Sequence, residues 1–251
     1  MMDVLEYEKL DPFISVDSPA GPVQFSTPNR ATVWRVQTLF TKEPDTIDWI
    51  AEFPPDSILV DIGANVGMYT IWAAKTRGAR VFAFEPESQN YALLNRNILR
   101  NALAGQAMAY CASLADKAGF GQLALSAFMP GGSVHSYTDK GEAGAKRPSY
   151  LQGSYASTLD TLVAEGVVPV PNYVKIDVDG IEPKIVQGAR QTFSNPGVKS
   201  ILIEVDTRIE SHWEMIDLML ELGFDYSQEQ VERAQRKEGA FKGVGNYVFR
   251  R

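Results

Sequence analysis

A regular alternation of strand-like and helix-like segments is the feature that most constrains the fold of this chain. Five short apolar runs have the composition of buried strands: ILVDIG, RVFAFEPE, QAMAYCASL, YVKIDVDG and SILIEVD. Segments with apolar residues at helical spacing follow four of them: MYTIWAAKTRGA, SQNYALLNRNILRN, EPKIVQGARQTF and HWEMIDLMLELG. Because runs that are apolar throughout suit strands covered on both faces, the alternation predicts an α/β fold with a mostly parallel sheet and helices on both sides.

Length and composition favour one domain. The 251 residues are 45% hydrophobic and 22% charged, which is a globular composition with enough apolar side chains for a large core. We expect a single domain over 1–251, with an N-terminal helical and extended cap at 1–53 and the alternating core at 54–251. Within the cap, EPDTIDWIAEF predicts a helix, since Pro44 suits a first helical turn and Pro54 an end.

A long stretch interrupts the alternation before the fourth strand. Residues from about 119 to 158 are rich in Gly, Ser and Tyr and contain alternating segments, so we expect an inserted hairpin or flap. Near the C-terminal end, NYVFR predicts a closing strand. The charged run QEQVERAQRKE is expected to be a solvated loop or helix face.

Charge and cysteine content restrict the partners and the compartment. The formal net charge of −7 argues against a nucleic-acid partner, which a basic stripe would bind. The one cysteine, Cys111, cannot form a disulfide within the chain and fits a reducing compartment. The N-terminus lacks a signal-peptide pattern, and no run approaches the ~18 apolar residues of a membrane span. We therefore expect a cytoplasmic protein without a membrane span.

The most specific motif is the strand–turn–helix stretch ILVDIGANVGMYTIWAA. Such a turn directs free backbone N–H groups at a ligand, and we expect Gly63 and Gly67 to let that ligand approach without a Cβ in the way. Asn65 stands where the dinucleotide fingerprint has its second glycine, which counts against a pyrophosphate. Asp61, ahead of the turn, is better explained by a ligand that carries an ammonium group.

A second carboxylate, Glu85, ends the next strand and is placed to accept both hydroxyl protons of a ribose. S-adenosylmethionine combines an ammonium group, a ribose diol and the absence of phosphate, so it suits both Asp61 and Glu85. Two alternatives stay open. A nicotinamide-linked oxidoreductase uses an equivalent acid, although Asn65 and the lack of a Tyr-x-x-x-Lys pair disfavour it. The second is a non-catalytic binding module that keeps the fold, which the intact turn and Glu85 disfavour. A purely structural explanation is that the two acids only cap helices in a domain that binds nothing.

The strand YVKIDVDG places Lys175, Asp177 and Asp179 at alternate positions, so we expect them to point to one side near its carboxyl end. For an in-line methyl transfer, an enzyme supplies positioning and sometimes a base. Asp177 is a candidate for that base or for a contact to the methionine end of the cofactor, and Lys175 for holding an acceptor oxygen. The alternative is an ion pair of Lys175 with Asp177 or Glu204 that only fixes the strand.

The two histidines are further catalytic candidates, because a histidine is a natural base near pH 7. His135 lies in the expected flap and His212 opens the helix after SILIEVD, although each could instead be a surface residue. Aromatic side chains that could form a wall of an acceptor pocket are Trp34, Tyr137, Tyr150 and Trp213.

Acidic residues follow several strand ends and could in principle bind Mg²⁺. They are Asp177, Asp179, Glu182, Glu204 and Asp206. Because they reproduce no three-ligand motif, we predict no metal site.

Six stretches together resemble the FkbM-type methyltransferases, a branch of the class I S-adenosylmethionine-dependent enzymes. In chain order they are KEPDTIDWI, VDIGANVGMYTIWAA, FEPESQNYALLNRNI, ASTLDTL, YVKIDVDGIEPKIVQGA and ILIEVD. The resemblance implies a Rossmann-like fold with a mostly parallel seven-stranded sheet and an antiparallel last pair. It also implies S-adenosyl-L-methionine as methyl donor, S-adenosyl-L-homocysteine as product, and a hydroxyl oxygen of a sugar, glycan or natural product as acceptor.

The same resemblance assigns expected cofactor contacts. The turn at the methionine end corresponds to Asp61, Gly63, Asn65 and Gly67, and the ribose ligand to Glu85. Asn90 matches an asparagine that follows the glutamate motif. In CASLADKAG, Ser113 and Asp116 are the matching candidates near the adenine.

Overall fold

Strands and helices alternate along the computed structural model, which describes residues 3–138, 148, 150–239 and 241–251. The strands are β1 Phe13–Val16, β2 Val23–Ser26, β3 Ile58–Ile62, β4 Arg80–Phe84, β5 Ala107–Tyr110, β6 Ser113–Leu114, β7 Gly119–Leu125, β8 Ser136–Thr138, β9 Tyr150–Ser157, β10 Tyr173–Ile176, β11 Ser200–Asp206, β12 Asp225–Tyr226 and β13 Val244–Arg250. The helices are α1 Val4–Glu8, α2 Arg30–Gln37, α3 Pro44–Ala51, α4 Met68–Arg77, α5 Ser88–Arg100, α6 Leu159–Ala164, α7 Glu182–Gln187, α8 Arg190–Ser194, α9 Glu210–Glu221 and α10 Gln228–Ala234.

A central sheet of seven strands has the order β12-β13-β11-β10-β3-β4-β5. The strands from β11 to β5 are parallel, whereas β13 is antiparallel to both β11 and β12. This arrangement confirms the predicted mostly parallel seven-stranded sheet with antiparallel pairing at its end. The strand order reverses between β3 and β10, and open α/β sheets bind ligands beyond the carboxyl ends of the strands at such a reversal.

Apolar side chains cover both faces of the central sheet. Leu59 of β3 packs in one apolar cluster with Trp49 of α3 and Ile71 of α4. Its neighbour Val60 packs in a second cluster with Phe193 of α8. Because successive side chains of a strand point to opposite faces, helices on both sides explain why the strands are apolar throughout.

The helices agree with the sequence pattern at most places and differ at one. The helix predicted in the N-terminal cap is α3, which begins at Pro44. EPKIVQGARQTF, predicted as one helix, forms the two short helices α7 and α8. The break falls at Gly188, where a Cβ would lie 2.1 Å from the Ala115 carbonyl oxygen, so the chain passes too close for a side chain there. No helix among the described residues combines the length and the apolar character needed to cross a bilayer.

The interruption of the alternation forms a separate, mostly antiparallel sheet. β7 pairs with β8 and β9, and β6 joins β9 in parallel to complete four strands. The predicted residues 139–147 and 149 of this stretch lie outside the described residues. We call 119–158 the flap, and the segment 126–135 between β7 and β8 the flap loop.

Candidate functional site

A cavity of about 450 Å³ lies at the carboxyl edge of the central sheet, at the reversal of strand order. It is lined by Gly63 and Asn65 after β3, Glu85 after β4, Asp177 after β10 and Glu204 of β11. A recess of about 40 Å³ shares three of these residues with it: Gly63, Asn65 and Asp177. The larger volume is in the range of small-molecule sites, about 300–1,000 Å³.

The backbone N–H groups of the turn after β3 are already used within the protein. From Gly63 to Gly67 they donate in chain order, at 2.7–3.1 Å, to the Phe84 carbonyl twice, Glu85 Oε2, Asn65 Oδ1 and the Ala64 carbonyl. The expectation that this turn directs free N–H groups at a ligand is therefore wrong. A pyrophosphate needs such groups, so the geometry disfavours a dinucleotide.

The two glycines of this turn are required by contacts within the protein. At Gly63, with φ +78°, a Cβ would lie 1.9 Å from the Asp177 carbonyl oxygen. At Gly67, with φ +87°, a Cβ would lie 2.4 Å from Leu94 Cδ1. The two glycines let the turn pass the loop after β10 and let α4 pack on α5. Gly63 also lines the cavity, whereas Gly67 does not, and their expected role in the approach of a ligand stays a prediction.

Glu85 presents a fixed carboxylate to the cavity. Its Oε2 accepts the Asn65 N–H at 2.7 Å, and its Oε1 accepts the Glu87 N–H at 2.9 Å. The Asn90 side chain is a further hydrogen-bond partner of this carboxylate. Burial raises the pKa of Glu85 to about 7, against the effect of the two backbone hydrogen bonds.

Two asparagines hold the flap loop against the turn. Asn65 Nδ2 and Asn90 Nδ2 donate to the same Gly132 carbonyl, at 2.6 and 3.2 Å. Asn90 Oδ1 accepts the Gly131 N–H at 2.7 Å. Asn65 has φ 51°, in the left-handed region that asparagine tolerates. Asn90 does not line the cavity, and its side chain positions the flap loop.

Asp179 and Arg35 make further contacts to the flap loop and also line the cavity. Asp179 Oδ2 accepts the Val134 N–H at 2.7 Å, and Arg35 Nε donates to the Gly131 carbonyl at 2.9 Å. Burial, followed by the charge of Asp177, raises the pKa of Asp179 to about 6. Burial lowers the pKa of Arg35, and the neighbouring acids oppose this. Arg35 belongs to no sequence motif, so the sequence analysis missed it.

His135 lines the cavity from the end of the flap loop. Its Nδ1 accepts the Ser126 N–H at 3.3 Å, from which we infer that the neutral ring carries its proton on Nε2. Burial lowers the pKa of His135, which favours the neutral ring. Nε2 is buried and has no hydrogen-bond partner among the described residues. In this state the ring offers a hydrogen-bond donor.

Lys175 joins two carboxylates beside the recess. Its Nζ lies 3.3 Å from Asp177 Oδ2 and 3.7 Å from Asp61 Oδ1. Asp61 also accepts a hydrogen bond of 2.6 Å from Thr70 Oγ1, and it does not line the cavity. The positive charge beside Asp61 is thus the ammonium group of Lys175. The sequence had instead suggested the ammonium group of a ligand at this place. Burial opposes the charge on Lys175, but the two acids hold its pKa above the ordinary value.

The loop after β10 differs from the predicted strand. β10 ends at Ile176, so Asp177 and Asp179 lie in the following loop and do not alternate with Lys175 along a strand. Asp179 has φ 60°, in the left-handed region. The alternative ion pair of Lys175 with Asp177 is present, whereas Glu204 pairs elsewhere.

Arg236 reaches the cavity from the segment after α10. One of its terminal nitrogens lies 3.0 Å from Glu204 Oε1 and 3.3 Å from Glu43 Oε1. The segment that carries Arg236 was predicted to be solvated. It reaches Glu204 because β13 is antiparallel to β11, which places the start of β13, and the segment before it, at the carboxyl end of β11. The closing strand NYVFR was the only sequence signal for this placement. Burial, followed by Asp177, raises the pKa of Glu204 to about 8.

His212 is buried outside the cavity lining, although the sequence analysis named it as a candidate base. Its Nδ1 accepts the Asp206 N–H at 3.1 Å, and its Nε2 lies 3.6 Å from Glu182 Oε2. Glu182 in turn accepts the Val178 and Gly180 N–H groups at 3.2 and 2.9 Å. This pair therefore supports the loop that carries Asp177 and Asp179.

The remaining candidates divide between the cavity and the surface. Ser113, Trp34 and Tyr137 line the cavity. Asp116, Tyr150 and Trp213 are exposed and do not line it.

The acids considered for Mg²⁺ have protein partners of their own. Glu182 binds backbone N–H groups, Glu204 pairs with Arg236, and Asp206 pairs with Arg208. Among the residues that the structure describes, no group of three or more His, Cys, Asp or Glu side chains could hold a metal ion.

The sheet order, the two helical layers and a ligand cavity at the strand reversal define a Rossmann-like α/β protein. A solved methyltransferase FkbM from Methylobacillus flagellatus KT has the same fold, with a TM-score of 0.51, 15% identity, and alignment over 80% of this chain and 44% of that chain. The sequence profile of the methyltransferase FkbM domain matches residues 61–226, so this chain belongs to that family of methyltransferases. The resemblance found in the sequence is thereby confirmed.

Two curated relatives align over most of the chain. Hexuronic acid methyltransferase AglP from Haloferax volcanii is 25% identical over 187 residues, which are 74% of this chain and 72% of the relative. The 31-O-demethyl-FK506 methyltransferase FkbM from Streptomyces tacrolimicus is 26% identical over 205 residues, which are 71% of this chain and 76% of the relative.

Proposed function

We propose that this protein transfers the methyl group of S-adenosylmethionine to a hydroxyl oxygen of a sugar, glycan or other small molecule. One observation carries this proposal. In the cavity, an oriented carboxylate, Glu85, lies beside a turn whose N–H groups all have acceptors within the protein. That combination suits a nucleoside without phosphate. A nicotinamide dinucleotide would need the N–H groups that Phe84 and Glu85 already take.

The residues present fit this cofactor along the cavity. Glu85 would accept the two ribose hydroxyls, and Ser113 stands at the adenine end. At the other end, the recess combines Arg35 and Lys42 with Asp177, which offers opposite charges to the carboxylate and the ammonium of an amino acid. When bound, the cofactor supplies an electrophilic methyl group on a sulfonium centre.

The acceptor side of the cavity has aromatic and polar walls. Trp34 and Phe241 line it and remain about half exposed. Arg236 lies 5.4 Å from the centre of the Phe241 ring and reaches Glu204. An apolar ring face beside charged hydrogen-bonding groups suits a polyhydroxylated acceptor. The names of the two curated relatives support this acceptor class: one acts on a hexuronic acid, and the name 31-O-demethyl-FK506 indicates methylation at an oxygen.

Titration calorimetry with S-adenosylhomocysteine and with NAD tests the cofactor. We expect one S-adenosylhomocysteine per chain and no heat with NAD. Binding of NAD alone would instead favour the oxidoreductase alternative, and binding of neither would favour a module without catalysis. A labelled-methyl assay then tests the acceptor against hexuronic acids, nucleotide sugars, glycolipids and 31-O-demethyl-FK506.

A further inference from the structure

Two carboxylates, Asp177 and Glu204, line the cavity from the ends of the neighbouring strands β10 and β11. Each pairs with a different cation. Lys175 Nζ lies 3.3 Å from Asp177, and Arg236 lies 3.0 Å from Glu204. When two neighbouring acids have different surroundings, their pKa values differ, and the two can take different roles in proton transfer.

Asp177 belongs to a group of charges centred on Lys175. Lys175 is 2% exposed and contacts two acids, Asp177 and Asp61. A proton on Asp177 would leave the buried Lys175 charge with one partner fewer, which is costly. Burial alone would disfavour the charge on Asp177, but Lys175, followed by Lys42, holds its pKa below the ordinary value. Asp177 therefore stays ionised and acts as a fixed anion.

Glu204 has the opposite balance. The acids that face it are Asp177 from the loop after β10, Glu43 ahead of α3 and Glu182 of α7. The cation that pairs with it, Arg236, is shared with Glu43. The residue opposite Glu204 on β13 is the uncharged Asn246. This surplus of negative charge, added to burial, leaves Glu204 with a pKa of about 8, so it exchanges a proton near neutral pH.

We propose that Glu204 is the base that removes the acceptor's hydroxyl proton, and that Arg236 positions its carboxylate for this step. The inference rests on the proposed methyl transfer. The acceptor oxygen forms a bond to the methyl carbon, the carbon–sulfur bond breaks with its electron pair moving to sulfur, and the hydroxyl proton moves to Glu204. Solvent then takes the proton from Glu204, and the products are the methyl ether and S-adenosylhomocysteine.

The turnover test uses the acceptor that the labelled-methyl assay identifies. Glu204→Gln should lower kcat/KM about 100-fold or more and leave S-adenosylhomocysteine binding unchanged, because a positioned base contributes at least that factor. Glu204→Asp should retain part of the activity. The matched control, Glu214→Gln, removes an exposed carboxylate of α9 and should have no effect.

Two neighbouring variants should move the pH profile in opposite directions. The wild-type kcat/KM should rise with pH and level off above about pH 8. Arg236→Gln removes the charge that lowers the pKa of Glu204, so the rise should shift to higher pH. Glu43→Gln removes a charge that raises it, so the rise should shift to lower pH. A merely structural role of Glu204 predicts no such opposite shifts.

A direct titration decides the proposal without an acceptor. In protein labelled with ¹³C at the glutamate carboxyls and saturated with S-adenosylhomocysteine, the signal lost in Glu204→Gln should titrate near pH 8 and follow the same two shifts. A Glu204 signal that stays ionised down to about pH 5 overturns the proposal, as does a Glu204→Gln variant with wild-type turnover. Failure of the proposed function is separate, since it appears as the absence of S-adenosylhomocysteine binding in the wild type.

Discussion

At the scale of single residues, Asp61 shows how a buried charge finds a partner inside the fold. It is 1% exposed in the middle of a parallel sheet, and Lys175, on the adjacent strand β10, is 2% exposed. Separating a buried pair by removing one partner costs about 3–5 kcal/mol, because the other charge is left without compensation. Asp61 and Lys175 therefore stabilise the site together, and the recess that Lys175 borders keeps a defined shape.

Gly63→Ala should destabilise the protein by about 3 kcal/mol or more, because the added Cβ meets the Asp177 carbonyl in a left-handed backbone conformation. Gly78→Ala is the matched control, since Gly78 has φ +66° but nothing within 4 Å of its Cβ. It should cost only about 1–2 kcal/mol. Urea denaturation measures both free energies of unfolding. Equal losses in the two variants would contradict the close approach at Gly63.

Glu85→Ala should weaken S-adenosylhomocysteine binding about 100-fold or more, because two charge-assisted hydrogen bonds to the ribose are lost. Calorimetry measures the affinity, and circular dichroism checks that the fold is intact. Glu214→Ala, at an exposed position of α9, should bind normally. Wild-type affinity in Glu85→Ala would refute the assignment of Glu85 to the ribose.

At the scale of elements, hydrogen bonds of the flap loop and of Gln152 in β9 join the flap to the central sheet and to α5. Asn65 follows β3, and Asn90 belongs to α5. Both donate hydrogen bonds to the Gly132 carbonyl, and Asn90 also accepts the Gly131 N–H. Asn90 is fully buried, so its hydrogen bonds are not exchanged for water. α5 therefore fixes where the flap loop crosses the cavity.

Asn90→Ala should release the flap loop. We expect faster hydrogen exchange at residues 129–135, with a lower melting temperature, because the Gly131 N–H and one hydrogen bond of the Gly132 carbonyl lose their partner. Asn95→Ala, on the same helix, is the control, since Asn95 donates to the Tyr91 carbonyl of its own helix. Exchange rates in the flap loop that match in the two variants would show that Asn90 does not hold it.

The alternation of strands and helices could be predicted because each element carries its own periodic pattern. The site could be predicted only in part. Glu85 follows a strand, so its place at the carboxyl edge was readable from the sequence. Arg35 and Arg236 come from segments without a motif, and only tertiary packing brings them to the cavity. The occupied N–H groups of the turn were unreadable because their main acceptor, the Phe84 carbonyl, belongs to the neighbouring strand.

At the scale of the whole molecule, the cavity and its surroundings hold acids that bind protons more strongly in the folded state. Burial is the first cause at each of them, and it raises the pKa of Glu85 and of Glu182 to about 7. Folding therefore takes up protons at these groups between their ordinary pKa and pH 7. Such groups stabilise the fold below their ordinary pKa, and that contribution is lost as pH rises through the folded value.

The free energy of unfolding should accordingly fall by about 2 kcal/mol or more between pH 5.5 and pH 8. Glu182→Gln should flatten this decline, because it removes one of the raised carboxyls that lies outside the cavity lining. Urea denaturation at a series of pH values measures the slope. A stability that rises over this interval would contradict the raised pKa values.

The hydrogen bonds that hold the flap loop by its backbone affect how sequences of this kind can diverge. The anchors recognise main-chain atoms at Gly131 and Gly132, which any chain with these glycines supplies. Exposed side chains of the flap strands, such as Phe120 and Leu151, can therefore change while the loop keeps its place over the cavity. Two asparagines and two glycines thus fix the position of the flap loop. Changes of exposed side chains elsewhere in the flap can then alter the acceptor preference.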